Sequence, residues 1–286
     1  MLHKMKVLKA LKGNAKRQTR KLLRLKARPK APVLNQPFEN IIARHSMICQ
    51  RLAALWPDGF NLTRESVCEI GPGECLASAA FFLAQGAGHV DLVELEPPVV
   101  NEKQLRILSA LKAKGFPISL DIIDTRSGPA LNQTLISYFH HHMEHYQVQD
   151  KHGLVFSHHV LEHVEDLASM FVSAHRALHA GGRMIHVVDL GGHSEFEDPI
   201  PPLDFQTYPD WLFDAMYPPH HRNTRRFVAD YRAAAAQAGF KHVEINPTRL
   251  AEKNYLESIH PQLRPAARRQ PKEEMAVIEF TLTAVK

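Results

Sequence analysis

Cysteine is scarce in this 286-residue chain, limited to Cys49, Cys68 and Cys75. No two of them form a CxxC pair. That excludes a disulfide framework and a thiolate zinc site, and it fits a reducing, cytosolic setting. No apolar run approaches the roughly 18 residues that a membrane-spanning helix needs. Acid is missing from the whole amino-terminal stretch, where the first carboxylate is Glu39. Lysines interrupt any apolar core there, so a secretory signal is not expected.

What that stretch does hold is charge of one sign. Twelve of the 35 Lys and Arg fall within residues 1–30, so the remainder carries 23 basic against 30 acidic residues, a net charge of −7. The high isoelectric point therefore belongs to a tail and not to the body. Leu8, Leu11, Ala15, Leu22 and Leu25 recur at roughly helical spacing, which predicts a basic amphipathic helix over 1–32, ended by Pro29 and Pro32. Such a tail suits a solvated arm, peripheral contact with an anionic membrane surface (here the inner face), or nucleic acid. The absence of interleaved aromatics counts against nucleic acid.

Beyond a helical lead-in over 33–60, residues 61–286 alternate between strand and helix patterns. Strands are expected at 66–70, 89–95, 118–123, 153–157, 183–190, 243–245 and 276–285. Helices are expected at 76–85, 101–114, 164–180 and 225–238. The alternation predicts one α/β domain, a Rossmann-like, mostly parallel seven-stranded sheet with helices on both faces. An aromatic, proline-stiffened segment over 191–224 reads as a lid.

In such a sheet, ligands bind beyond the carboxyl ends of the strands. Val67-Cys68-Glu69-Ile70-Gly71-Pro72-Gly73 sits at such an end. Two glycines permit a tight turn and close approach to a ligand, and the helix start that follows favours a negative group. Glu69 suits a cationic amine. Glu94 ends the next strand and suits paired ribose hydroxyls. A dinucleotide oxidoreductase would need glycine where Leu76 stands, and a P-loop would need GK[ST], which is absent.

These motifs resemble class I S-adenosylmethionine-dependent methyltransferases. The resemblance rests on Glu69 to Gly73, on Glu94, on Leu154 to Val164 and on Arg176 to Arg183. The last two blocks are close to the type 11 and ubiquinone-biosynthesis-like groups. Asp189, His193, Arg222-Asn223-Thr224-Arg225 and Ala238-Gly239-Phe240 are further similar to bacterial methyltransferases of surface-polysaccharide and glycan pathways. The resemblance implies S-adenosyl-L-methionine as cofactor. Gly71 and Gly73 would pass under its methionine portion, Glu69 near its amino group and Glu94 at its ribose. Asp124, ending the third strand, would approach the adenine. Ser157 and His158 would flank the methionine end. Cys75 replaces a third glycine and reads as a small packed residue.

Methyl transfer from a sulfonium is an in-line displacement in which the protein supplies alignment and, for an oxygen or nitrogen nucleophile, a base. His193 is the first candidate base, with His221 and its neighbour His220 as alternatives. Trp211 and Tyr217 suit stacking on an acceptor ring. Arg222 suits either an anionic acceptor group or a carboxylate of the body. His159, Glu162 and His163 have the spacing of a metal site, but capping and bracing explain Glu162 and His163 without a metal, and no metal is expected. The expected activity is O-methylation of a sugar or glycan intermediate. A small-molecule O- or N-methyltransferase, an RNA methyltransferase and a non-catalytic cofactor-binding subunit stand as alternatives, and the acidic body disfavours RNA.

Overall fold

The apolar run of β1 (Ser66–Ile70) is buried on both faces, as a central parallel strand must be. The computed structural model describes residues 36–55, 61–192, 201–217 and 222–286. The expected tail lies outside them. Chain order runs α1 (Phe38–Ala54), β1, α2 (Ala77–Ala84), β2 (His89–Val93), α3 (Glu102–Ala113), β3 (Ile123–Asp124), β4 (Ala130–Leu131), β5 (Ile136–Phe139) and β6 (His152–His158). It continues with α4 (Leu167–Ala177), β7 (Leu178–Asp189), α5 (Asp210–Met216), α6 (Val228–Gln237), β8 (Lys241–Leu250), α7 (Lys253–Ile259), α8 (Pro265–Arg268), α9 (Lys272–Met275) and β9 (Val277–Val285).

Seven strands make one sheet in the order β5-β2-β1-β6-β7-β9-β8. The first five of these are parallel, and β9 inserts antiparallel between β7 and β8. Strand order reverses between β1 and β6, so the ligand crevice of such a sheet opens at their carboxyl ends.

Alternation along β1 divides the core. Val67 joins Ile41, Leu52, Phe81, Phe82 and Leu111 on the face covered by α1 to α3. Cys68 and Ile70 join Met170, Phe171, Tyr231 and Phe280 on the face of α4 and α6. Each fully buried Phe contributes about 1.5–3 kcal/mol by removal from water. Helices α3 and α4 start where Asn101 and Asp166 accept the amides of Gln104 and Ser169, both at 3.0 Å. All three cysteines are buried free thiols.

One expected strand is corrected. Residues 118–123 do not join the sheet; Leu120–Ile122 is a 3-10 turn, and Ile123–Asp124 pairs only with Ala130–Leu131. Ile118, Ile122 and Ile123 are buried all the same, because the turn packs on α2. The third strand of the sheet is β5, a short edge strand paired with β2 alone. Only Ile136 of its four residues is fully buried, so it lacks the apolar run that marks an interior strand.

Candidate active site

The turn after β1 is built for close approach. Gly71 has φ +65°, and a Cβ there would stand 2.5 Å from Val160 Cγ2. Its amide donates to Val93 O at 2.9 Å, tying the turn to β2. Gly73 has φ +66° with open space where a side chain would be. Glu94 accepts from the Gly73 amide at 3.1 Å and the Leu95 amide at 2.7 Å, so the second acid holds the first turn in place. Gln104 Nε2 donates to Glu74 O at 3.0 Å from below.

Glu69 is buried at the base of this turn. One of its oxygens accepts from the Ser78 hydroxyl of α2, and the other has no hydrogen-bond partner. Burial pushes its carboxyl up to about 7, the Ser78 bond opposes this, and Glu94 adds to it. An unpartnered buried carboxylate oxygen beside a bare-glycine turn is a fitting receptor for a cationic amine on a flat ligand. Cys75 is buried, and burial pushes its thiol up to about 12, which makes it an inert packed residue.

Asp124 does not end a strand of the sheet. It forms an exposed ion pair with Arg126 at 2.6 Å, which holds its carboxyl at about 2. The residues that follow the true third strand are His140 and His141, and His140 stacks on Tyr138.

At the end of β6, Ser157 turns away from the edge. Its hydroxyl shares a 2.8 Å hydrogen bond with His186 Nδ1 of β7 inside the molecule. Burial holds that imidazole down at about 3, hence neutral. The groups that do face the edge are His158 and His159, whose rings lie 4.0 Å apart. Burial first, then His159 and Arg51, bring His158 down to about 3.

His159 is held with φ +56°, its amide donating to Val187 O at 2.8 Å. Its Nε2 meets Glu279 Oε2 of β9 at 3.0 Å. Glu279 also accepts from Thr248 at 2.8 Å and from Arg51 of α1 at 2.9 Å. Burial opposes its ionisation, but the bonds from His159, Thr248 and Arg51 prevail and hold it at about 2. Asp189, ending β7, accepts from the Gly191 amide and from Arg249 Nη2, both at 2.8 Å.

His159 and His163, which share the i, i+4 spacing of a metal site, do not converge on one point. Residues Leu161–His163 form a 3-10 turn, so His163 points elsewhere, with Nδ1 at 3.0 Å from Arg222 O. Glu162 is fully buried, and burial raises its carboxyl well above the ordinary value, with its own amide opposing. Instead, ligand atoms of His159, Asp189 and Glu279 lie within 4.8 Å of one another. Beside them opens a cavity of about 220 Å³, lined by Arg51, Ala54, Leu55, Val187, Thr248, Glu279 and Thr281. Arg51, Thr248 and Glu279 carried no local signal that ties them to a site. An acid inside the apolar run of β9 was the one available hint.

Residues 68–186 match the family described as a methyltransferase domain. The strand order, with an antiparallel seventh strand between the fifth and sixth, agrees with that match.

Residues 68–186 form an S-adenosylmethionine-dependent methyltransferase domain.

No curated protein matches this methyltransferase. It is similar to a solved S-adenosylmethionine-dependent methyltransferase from Mesorhizobium loti, at 17% identity, covering 83% of this chain and 96% of that one, with a TM-score of 0.43. It is also similar to phosphoethanolamine N-methyltransferase 2 from Haemonchus contortus, solved with S-adenosyl-L-methionine, at 18% identity, 83% and 52% coverage and a TM-score of 0.47. The methyltransferase thus spans about half the length of that enzyme. A third similar structure is a Haloferax volcanii complex between the Trm112 methyltransferase activator and a methyltransferase, at 17% identity, 87% and 92% coverage and a TM-score of 0.49.

Residues 205–217 have a small core of their own. Phe205, Tyr208, Phe213 and Met216 are buried together, with Tyr217 packed on Phe213 at 4.8 Å. Arg222 pairs with Asp214 at 2.5 Å and lies over the Phe213 ring, so its charge meets a carboxylate of that same cluster. Trp211 is 71% exposed. His193, His220 and His221 lie outside the described residues. Among the described residues, no helix is long and apolar enough to cross a membrane.

Proposed function

We propose that this methyltransferase acts on a hydroxyl of a single sugar-sized ring, such as a unit of a glycan intermediate. The observation that carries this reading is the cavity beside His159, with its apolar floor (Ala54, Leu55, Val187) and polar wall (Arg51, Thr248, Glu279). At about 220 Å³ it falls below the roughly 300–1,000 Å³ of sites for drug-sized ligands. One face apolar and one edge rich in donors and acceptors suits a pyranose better than a flat hydrocarbon.

In this reading Glu69 takes the cofactor's amino group, Gly71 and Gly73 pass beneath its methionine portion, and Glu94 takes the ribose. His158, neutral and half-buried, flanks the methionine end, and the Ser157 hydroxyl has no part. The cofactor supplies an electrophilic methyl on a sulfonium. An acceptor oxygen attacks that carbon in line, the carbon–sulfur bond breaks, S-adenosylhomocysteine leaves, and the hydroxyl proton passes to a base. His193 holds the role of base, with His221 as its alternative, since they adjoin Gly192 and Arg222 in the chain. The basic segment 1–30 is read as a peripheral contact with an anionic membrane surface.

The test uses S-adenosylmethionine with a labelled methyl and a panel of glycans, nucleotide sugars, catechols and amines. Label on a sugar oxygen, lost in Ala54→Trp while cofactor binding by calorimetry is kept, is the expected result. Label only on an amine, or turnover indifferent to filling the cavity, overturns it.

A further inference from the structure

Three segments far apart in the chain bring metal-binding groups to one point at the reacting edge: the end of β6, the end of β7 and the start of β9. One imidazole and two carboxylates, from His159, Asp189 and Glu279, have ligand atoms within 4.8 Å of one another. We propose that they form a binding site for one divalent transition-metal ion, at the mouth of the acceptor cavity.

A second observation points the same way. Glu162 is fully buried, with no side chain bonded to either of its oxygens and only backbone amides, its own and that of Asp189, bearing on it; His163 Nε2 stands 3.9 Å from one of the oxygens. It lies within electrostatic reach of both Asp189 and Glu279. Acid thus accumulates here, with Glu162 buried nearby while Asp189 is paired with Arg249 and Glu279 with Arg51. A doubly charged cation offsets that accumulation of acid better than a surface guanidinium does.

The donor set selects the ion. Magnesium and calcium favour all-oxygen shells, whereas one imidazole with two carboxylates suits Mn²⁺, Fe²⁺, Co²⁺ or Zn²⁺. Arg51 and Arg249 compete for the same carboxylates, at 2.9 and 2.8 Å. Both are partly exposed, at 33% and 53%, so each swings into water at small cost when an ion binds. The arginines therefore act as stand-in cations that hold the carboxylates together. An ion at this point, still short of ligands, would take oxygens of the acceptor from the adjoining cavity. The metal site itself does not depend on which acceptor the enzyme uses.

The experiment strips the full-length chain with a chelator and titrates it with Mn²⁺, read by electron paramagnetic resonance, and with Co²⁺, read by visible absorption. One saturable micromolar site is expected. Asp189→Asn and Glu279→Gln each weaken it by at least about tenfold, and Arg51→Met tightens it severalfold by removing the competing cation. The His141→Ala/His142→Ala double variant leaves it unchanged. Thermal melts report whether each variant is folded; if Glu279→Gln is not, Asp189→Asn with Arg51→Met carries the test. No saturable binding below millimolar, or binding that survives Asp189→Asn and disappears with the surface histidines, overturns the proposal. Calorimetry with S-adenosylmethionine runs in parallel. Cofactor binding without metal binding sinks this proposal alone, and metal binding without cofactor binding leaves it standing while the functional reading falls.

Discussion

The two halves of the reacting edge are made differently. The proposed cofactor half is local: Glu69, Gly71, Gly73 and Glu94 come from two successive strands and the turns that follow them. The proposed acceptor half is assembled from five separate segments: Arg51 on α1, His159 after β6, Asp189 on β7, Thr248 and Arg249 on β8, and Glu279 on β9. A local site must keep its residue types at fixed spacing because the backbone itself forms the receptor. A dispersed site needs only that tertiary packing bring side chains together, so its spacing carries no pattern. In the proposed reading, one half suits a constant ligand while the other is free to suit a particular acceptor.

The largest test of this contrast is Gly71→Ala. Left-handed backbone costs a non-glycine residue about 1–2 kcal/mol, and the new Cβ meets Val160 at 2.5 Å. Calorimetry should show no S-adenosylmethionine binding, and the melting temperature should fall. Retained micromolar affinity would mean that the turn is not the cofactor floor.

Glu94→Ala comes next, with affinity expected to fall by about two charge-assisted hydrogen bonds at roughly 1.5–3 kcal/mol each. Glu94→Gln should fall less, because it keeps acceptor capacity for the Gly73 amide. Unchanged affinity in Glu94→Gln beside a loss in Glu94→Ala would show that Glu94 supports the turn and never meets the ribose.

A third test is the pH dependence of cofactor binding. Burial places Glu69 at about 7, so it is largely protonated at pH 6 and ionised at pH 8. Affinity for S-adenosylmethionine should rise across that interval, until the ligand's amino group itself deprotonates near about 8. Glu69→Gln should flatten the rise. An unchanged slope in that variant would place the amine elsewhere.

In the acceptor half the carboxyl is shifted in the opposite direction, down and not up, and the effect is smaller. Glu279 lies at about 2 when folded, below the ordinary carboxylate value. Its contribution to stability is therefore fully present above pH ~4.5 and lost as pH falls toward 2. Urea melts from pH 6 to pH 3 should show a steeper loss in the wild type than in Glu279→Gln, with cofactor affinity at pH 7.5 the same in both. The smallest expected change is for Trp211→Ala. Its exposure predicts a stability shift within about 0.5 kcal/mol, so any loss of turnover in that variant would report direct contact with acceptor.

The particular residues show why one half was legible and the other was not. Glycine at positive φ, an acid ending a strand and an apolar run buried on both faces are each written within five or six residues. The run over 118–123 carried the apolar signal of a strand but lies outside the sheet, because packing on α2 buries those isoleucines as a 3-10 turn. The true edge strand, Ile136–Phe139, has one fully buried residue and reads as loop. Misplacing that strand also misplaced Asp124. Ser157 stood at the right strand end, but alternation aims its hydroxyl at His186, which no local pattern announces.

The sequence by itself determined the α/β alternation, the glycine turn with its two acids, and the cofactor class they imply, because each depends on backbone geometry and neighbours close in the chain. Only the tertiary structure decided that His159 turns toward Glu279 and away from His163, and that Arg51 crosses from α1 to reach β9. Those meetings span 120 and 228 residues of chain, and they follow from the inserted antiparallel strand, which carries Glu279 to the carboxyl edge of a sheet that is otherwise parallel.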